Sequence, residues 1–391
     1  MKIVFWIALF IVFYTYIGYG ILLYIIIRLK RLFVGRPHEA VLPADEELPT
    51  MTLMICAYNE EDIVKDKMAN TLALDYPKDK FRIMWVTDGS NDHTNELLAA
   101  YPEVDIVFSP ERRGKTAALK HGLRELKTRY VAFTDANTMI NTGALREIAR
   151  LFSDPTVGCV SGEKRVAARK AGEMASEGEG LYWRYESTLK RWDSELYSAM
   201  GAAGELYAID PQLCREVPDE ALLDDFMLSM YVVQAGKRIA YTSDAYAREY
   251  GSANIYEESK RKRRIAAGGL QSIWWLRSML NPLRQPLVTF QYVSHRVLRW
   301  SITPVAMVLL LIVNIALVAM GAGTFYTVML ILQTLFYLMA LAGWLTNRFG
   351  YKNKLLYTAY YFVFMNFNVF RGMAYLRSHG KSGAWEKAKR S

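Results

Sequence analysis

The chain has 391 residues, enough for more than one folding unit, and carries 48 Lys and Arg against 39 Asp and Glu, for a net charge of +9. Its three cysteines, Cys56, Cys159 and Cys214, are widely spaced and its five histidines scattered, which argues against a disulfide framework or a structural zinc site. The positive excess calls for no nucleic acid, because much of it flanks apolar runs where anionic lipid attracts it. Reduced thiols fit a cytoplasmic domain.

Residues 3–27 hold no charged side chain and exceed the roughly 20 residues that cross a bilayer as a helix. The run is too long for the apolar segment of a cleaved leader, and no small-x-small cleavage site follows it. Arg28, Lys30, Arg31 and Arg36 crowd its carboxyl side, against Lys2 alone on the other. The positive-inside rule therefore places the amino end outside and residues 28 onward in the cytoplasm.

Short apolar, β-rich runs then alternate with helix-like stretches. Strands are expected at 52–57, 81–87, 104–108 and 130–134, followed in turn by helices at 60–74, 92–100, 115–127 and 142–152. The alternation predicts a doubly wound, mostly parallel sheet, in which ligands bind beyond the carboxyl ends of the strands. Polar clusters fall at those ends: Ala57-Tyr58-Asn59-Glu60, Asp88-Gly89-Ser90, Arg113-Gly114-Lys115 and Asp135-Ala136-Asn137. No Gly-x-Gly-x-x-Gly follows the first strand and no Walker A sequence is present, which disfavours a dinucleotide oxidoreductase and a P-loop NTPase. Asp135 ends an apolar run and reads as a metal site with Asn137, since both side chains of an x+2 pair can point to one side at a strand end. Lys115 opens a helix after a glycine, where backbone N–H groups and an ammonium can meet a diphosphate together.

The second half is less regular. It predicts a helix at about 172–198, a strand at 205–209, a helix opened by Asp224-Asp225 and a strand at 238–242. Asp225 is a candidate general base, since adjacent acids raise one another's pKa; the competing reading is a helix-start acid favoured by the dipole. A basic run, Lys260-Arg261-Lys262-Arg263-Arg264, reads as a phosphate-holding segment or an interfacial patch. Residues 286–300 mix apolar positions with His295, Arg296 and Arg299 and suggest an amphipathic helix on the cytoplasmic face. Residues 301–320 and 324–346, split by Gly321-Ala322-Gly323, read as an out-and-back membrane pair that leaves Arg348, Lys352 and Lys354 inside. A fourth run at about 355–376 is weaker, holding Asn366, Asn368 and Arg371. If it spans, the basic tail (Arg377, Lys381, Lys387, Lys389, Arg390) ends outside; if it re-enters or lies in the interface, the tail stays inside.

Five motifs recur in order: Ala57-Tyr58-Asn59-Glu60-Glu61, Thr87-Asp88-Gly89-Ser90-Asn91-Asp92, Gly114-Lys115-Thr116-Ala117-Ala118-Leu119, Thr134-Asp135-Ala136-Asn137 and Asp224-Asp225. Over roughly residues 50–270 the chain resembles the family 2 glycosyltransferases with the GT-A fold, specifically the membrane-embedded, cellulose- and hyaluronan-synthase-like branch. The resemblance implies an α/β, GT-A (Rossmann-like, mostly parallel sheet) cytoplasmic domain flanked by transmembrane α-helices. The expected division is 1–36 for an N-terminal helix and basic flank, 37–285 for the GT-A domain, 286–300 for the interfacial helix, and 301–391 for C-terminal helices and tail.

The resemblance also implies an activity: transfer of a sugar with inversion from a nucleotide donor, commonly UDP-activated. The acceptor would be a growing polysaccharide or a lipid-linked molecule, in surface or exopolysaccharide synthesis at the inner or plasma membrane, with polysaccharide-export subunits as candidate partners. Residue by residue, it places Ala57, Tyr58, Glu60 and Asp88 around the nucleotide, with Lys115, Asp135 and Arg264 also on the donor. Asp135 and Asn137 would hold Mg2+ or Mn2+, which neutralises charge on departing UDP. Asp225 would deprotonate the acceptor hydroxyl, supported by Asp224, with Gly204 and Glu205 lining the acceptor side.

Three departures matter. Asn137 stands where the family has an acid, which lowers affinity for free metal. Asp224 stands in place of a glutamate. Arg261-Lys262-Arg263-Arg264-Ile265 occupies the place of a Gln-x-x-Arg-Trp motif, keeping the arginine but not the tryptophan on which an acceptor sugar stacks. That last change counts against long-chain processive synthesis and keeps open the transfer of one sugar to a polyprenyl-phosphate-linked acceptor. From other classes, a non-catalytic nucleotide-sugar-binding partner is opposed by the intact acid set. A nucleotidyltransferase is opposed by the membrane anchors and the missing nucleotide-activation loop.

Overall fold

In the computed structural model, residues 1–35, 40–167, 174–250, 255–349, 351 and 353–379 are described. Lys2–Val34 form one helix of 33 residues: α1 (Lys2–Phe13), a wider π-type stretch at Tyr14–Gly18, and α2 (Tyr19–Val34). Arg36 of the basic flank lies outside the described residues.

The expected alternation follows as β1 (Met51–Ala57), α3 (Val64–Leu72), β2 (Phe81–Asp88), α4 (Thr94–Ala99), β3 (Val104–Ser109), α5 (Lys115–Arg124) and β4 (Tyr130–Asp135). These strands pair in parallel. Their central residues are apolar on both faces because helices cover both sides; Leu53, Met54, Trp85, Val86, Val131 and Ala132 are all buried. The register sets Ala57 beside Thr87, Cys56 beside Asp135 and Asp88 beside Ser109. The polar motifs therefore leave the sheet along one edge.

β5 (Met139–Ile140), α6 (Ala144–Phe152), β6 (Val157–Ala167), α7 (Met174–Leu196), β7 (Leu206–Ile209), α8 (Asp224–Gln234) and β8 (Arg238–Tyr250) complete an eight-stranded sheet of order β3-β2-β1-β4-β7-β6-β8-β5. β7 runs antiparallel to both β4 and β6, so the sheet is mixed. β6 is absent from the sequence expectation because Gly158 and Gly162 interrupt its apolar pattern. Both glycines are forced by packing: a Cβ would lie 2.4 Å from the Leu213 side chain at Gly158 and 2.8 Å from the Ala245 carbonyl at Gly162.

α9 (Ile255–Trp275) takes the basic run 260–264 and Trp274-Trp275 into one helix. That run is no surface patch: Arg261 and Lys262 are buried and face Glu258 at 3.7 and 3.4 Å. The segment at 286–300 is likewise no separate surface helix. α10 (Pro286–Tyr292) passes through π-type turns at Val293–Ile302 into α11 (Thr303–Ala319), giving a continuous helix of 34 residues. Its polar side, with His295, Arg296 and Arg299, is buried. α12 (Thr324–Arg348) and α13 (Lys354–His379) follow.

Lys2–Val34, Pro286–Ala319 and Thr324–Arg348 are long and apolar enough to cross a membrane. α13 turns polar residues toward α9: Ser259 Oγ donates to Asn368 Oδ1 at 3.2 Å and Tyr361 donates to Glu258 Oε1 at 3.1 Å. Lys352, Lys381, Lys387, Lys389 and Arg390, on which the orientation of the tail turned, lie outside the described residues.

Candidate active site

Four parallel strands deliver their loops to one cavity of about 630 Å³. The donor-side candidates Ala57, Tyr58, Glu60 and Asp88 line it, as do Lys115, Asp135 and Asn137. So do Gly204, Glu205, Asp224, Asp225 and Arg264, which are brought in by the β7 approach, α8 and α9. Every residue expected at the site from sequence thus faces a single space.

Asp88, at the end of β2, accepts the backbone N–H of Arg113 at 2.9 Å and of Gly114 at 2.6 Å. Its carboxylate therefore holds the loop that starts α5 and fixes where Lys115 emerges. Asn59 takes a left-handed φ of 51°, a conformation asparagine tolerates better than most residues. From there its side chain exchanges hydrogen bonds with Asn91, at 2.7 and 3.0 Å, locking the β1 and β2 loops together. The Arg112 guanidinium lies 4.0 Å from the Tyr58 ring centroid, a cation–ring pair lining the same cavity.

Lys115 Nζ donates to Asp135 Oδ1 at 2.6 Å. Behind Asp135 sits Lys67, fully buried, with its ammonium donating to the Thr138 carbonyl at 2.6 Å and to Thr134 Oγ1 at 3.1 Å. Burial pushes its pKa down to about 7. The same two threonines bond the Glu205 carbonyl. The Asp135–Asn137 turn is thus braced from below and tied to the loop that carries Gly204. Among the described residues no group of three or more His, Cys, Asp or Glu side chains is arranged to hold a metal ion; Asp135 and Asn137 offer one carboxylate and one amide oxygen.

Asp224 and Asp225 open α8. Asp225 Oδ1 accepts the Phe226 N–H at 2.8 Å. Burial, and next the charge of Asp224, push its carboxyl up to about 6. Its other oxygen lies where a residue-204 side chain would stand: a Cβ on Gly204 would be 2.6 Å from Asp225 Oδ2. Among the described residues neither Asp224 Oδ2 nor Arg264 Nε, both buried, has a hydrogen-bond partner. Glu205 is held differently. Lys164 Nζ reaches it at 2.5 Å and Arg261 at 3.7 Å. Burial alone would raise its pKa, but these two cations hold it well below the usual carboxylate range. Glu205 is the anchor of an ion network that also includes Glu249.

Sequence reasoning missed the far wall of the cavity. Trp183, Glu186 and Lys190 reach it from α7, and Arg296, Arg299 and Trp300 from the 34-residue helix. Glu186 receives Arg296 at 2.7 Å, Arg299 at 2.9 Å and His295 Nε2 at 3.3 Å. Burial would raise its pKa, but these neighbours, led by Arg296, depress it well below the ordinary value. On the other side of His295, Nδ1 lies 2.5 Å from Asp193 Oδ2, and Asp193 also takes the hydroxyl of Tyr19 from the first helix. The available signal was the pair of arginines just before an apolar run, since charges there are retained for partners within the protein.

Residues 52–209 match the model of glycosyl transferase family 2. A poly-beta-1,6-N-acetyl-D-glucosamine synthase of Staphylococcus aureus is 36% identical over 125 residues, which cover 31% of this chain and 30% of that protein. A beta-monoglucosyldiacylglycerol synthase of Synechocystis sp. is 25% identical over 259 residues, covering 62% of this chain and 53% of the relative. The chain therefore matches about a third to a half of the length of these curated relatives. The mannosyltransferase PcManGT from Pyrobaculum calidifontis, solved in complex with GDP-Man and Mn2+, superposes with a TM-score of 0.68 over 95% of this chain and 98% of that one, at 20% identity, a likeness of fold. Motif order, sheet topology and family match agree that residues 52–209 are a family 2 glycosyltransferase domain, built on a GT-A, Rossmann-like, mostly parallel core.

Proposed function

We propose that this chain is an inverting glycosyltransferase that moves a sugar from a UDP-activated donor to an acceptor hydroxyl at a membrane surface, in the synthesis of a surface glycan. The observation that supports this best is the seating of Asp225. A carboxyl with its pKa raised to about 6 stands at the cavity wall, with Gly204 leaving one oxygen open. A base tuned toward neutrality and placed beside free space is what deprotonation of an acceptor hydroxyl needs.

The reaction is a single displacement. The acceptor hydroxyl gives its proton to Asp225 as its oxygen bonds the anomeric carbon, and the bond from that carbon to the diphosphate oxygen breaks on the opposite face. Asp224 keeps Asp225 basic through its charge. Lys115 and Arg264 meet the negative charge that gathers on the leaving nucleotide. Tyr58 and Arg112 offer stacking surface to the base. Asp135 and Asn137 are hard oxygen donors that suit Mg2+ or Mn2+, and such an ion supplies further neutralisation of the diphosphate when bound. Ile265 lines the cavity without an aromatic face, which favours addition of one sugar over growth of a long polymer. The three apolar helices and the basic residues after the first support a plasma-membrane protein with its catalytic domain on the cytoplasmic side.

Membranes containing the protein, supplied with radiolabelled UDP-sugars, test the reading through the size of the product. One added sugar is the expected result; a ladder would favour the polymerising reading. No transfer from any nucleotide sugar would refute both.

A further inference from the structure

The cavity is walled by more than the strand-end loops. Tyr16 from the first helix, Trp300 from the 34-residue helix, and Phe362, Met365 and Val369 from α13 also line it. Tyr16 and Trp300 belong to helices long and apolar enough to cross a membrane, so these residues form a mainly apolar slot between helices, bordered by Arg299, 6.0 Å from the Tyr16 ring, and Arg296, 5.5 Å from the Trp300 ring. Tyr16 closes one side of it by donating to Asn366 Oδ1 at 2.5 Å.

Lys190, on α7, shares this cavity with Asp225. Its side chain is buried, 4% exposed, and lines the cavity. Among the described residues its ammonium makes no hydrogen bond or ion pair; the Trp183 ring lies 5.9 Å away. Glu186, one helical turn earlier, favours the ammonium only through its charge, as Glu205 and Asp225 do, because Arg296, Arg299 and His295 occupy both of its carboxylate oxygens. An ammonium buried without a bonded anion is strongly disfavoured, and a second cation, Arg296, stands close by and adds to the cost. On the proposed reading Lys115 and Arg264 meet the donor diphosphate. A further cation without a bonded anion, in one cavity with a mainly apolar slot, matches one kind of molecule.

We propose that the acceptor is a phosphate-bearing lipid: its phosphate meets Lys190, its chain lies in the slot between the first helix, the 34-residue helix and α13, and its accepting hydroxyl reaches Asp225. This rests on the glycosyl-transfer reading above. The step balances as before. The hydroxyl proton passes to Asp225, the acceptor oxygen bonds the anomeric carbon, and the nucleoside diphosphate leaves with the electron pair of the broken bond.

The full-length protein in phosphatidylcholine nanodiscs provides the test, with labelled donor and the same hexose presented in three forms. These are a polyprenyl diphosphate, a long-chain alcohol without phosphate, and a soluble hexose phosphate. The lipid phosphate should be turned over fastest. In Lys190→Met, the preference for phosphate-bearing over phosphate-free lipid, as a ratio of kcat/KM, should fall about tenfold or more, and Lys190→Arg should restore it. Equal turnover of the phosphate-free lipid or of the soluble phosphate by the wild-type protein would overturn the proposal while leaving glycosyl transfer intact. A Lys190→Met effect confined to the KM for the donor would overturn it too. Donor turnover that is unchanged in Asp225→Asn would instead bring down the underlying reading.

Discussion

Gly204→Ala isolates the geometry of the base from the stability of the fold. The new Cβ would stand 2.6 Å from Asp225 Oδ2 and 3.2 Å from its Cγ. Ordinary carbon–oxygen contact is about 3.3–3.6 Å, so the carboxylate must move by about 0.7–1 Å. That motion also strains the bond from Phe226 N–H to Asp225 Oδ1, now 2.8 Å. Gly204 does not adopt a left-handed backbone, so alanine fits it without backbone strain, and the unfolded chain loses entropy worth about 0.4–1 kcal/mol in favour of folding. A misplacement of about 1 Å at the reacting centre costs on the order of 10²-fold in rate, or about 2.7 kcal/mol of barrier. Steady-state transfer assays should therefore show kcat reduced about a hundredfold, with a cooperative thermal transition lowered by about 2 kcal/mol of stability at most and UDP affinity within about threefold. A Gly204→Ala enzyme within about twofold of wild-type kcat would refute the placement of Asp225 as the base.

Other consequences follow from the same site. With the Asp225 carboxyl near 6, kcat/KM should fall about tenfold per pH unit below that value; a flat profile to pH 5 would contradict it. The raised pKa also means that the folded protein binds this proton more tightly than the unfolded chain does. The stability it contributes is complete below about 3.8 and is lost as pH rises through about 6. Asp225→Asn should therefore be more stable than wild type at pH 8, by about 1–3 kcal/mol after allowing for screening in a solvated cavity, as read by thermal unfolding. On the proposed metal assignment, Asn137→Asp adds a second negative ligand and should lower the Mn2+ concentration for half-maximal transfer about tenfold, with chelation by EDTA suppressing both enzymes. Glu186→Gln leaves Arg296 and Arg299 buried without their shared carboxylate. It should cost about 3–5 kcal/mol, visible as a lower thermal midpoint in detergent.

The donor half of the site was legible because its signals are local. Each parallel strand is a short apolar run ending in a polar cluster, and Asp88, Lys115 and Asp135 lie at those ends by chain order alone. β6 was not legible: Gly158 and Gly162 are dictated by Leu213 and Ala245, residues distant in sequence. The basic run at 260–264 misled for a similar reason. Its charge suggested a surface, yet the acids that neutralise Arg261 and Lys262 come partly from one turn earlier in α9 and partly from the loop at Glu205. The far wall escaped because it is assembled from α7 and the distant 34-residue helix, and Lys190 and Glu186 have no motif around them. Asp225 stood between these cases. Its position at a helix start was readable, but its raised pKa and the space opened by Gly204 are facts of packing.

The central claim is that Asp225 removes the acceptor proton. Asp225→Asn keeps the shape and removes the base, so transfer and nucleotide binding should separate. Isothermal titration with UDP should give an affinity close to wild type, while transfer from labelled donor falls by about 10²–10⁴-fold. Turnover within about tenfold of wild type in a folded, UDP-binding Asp225→Asn protein would contradict the assignment.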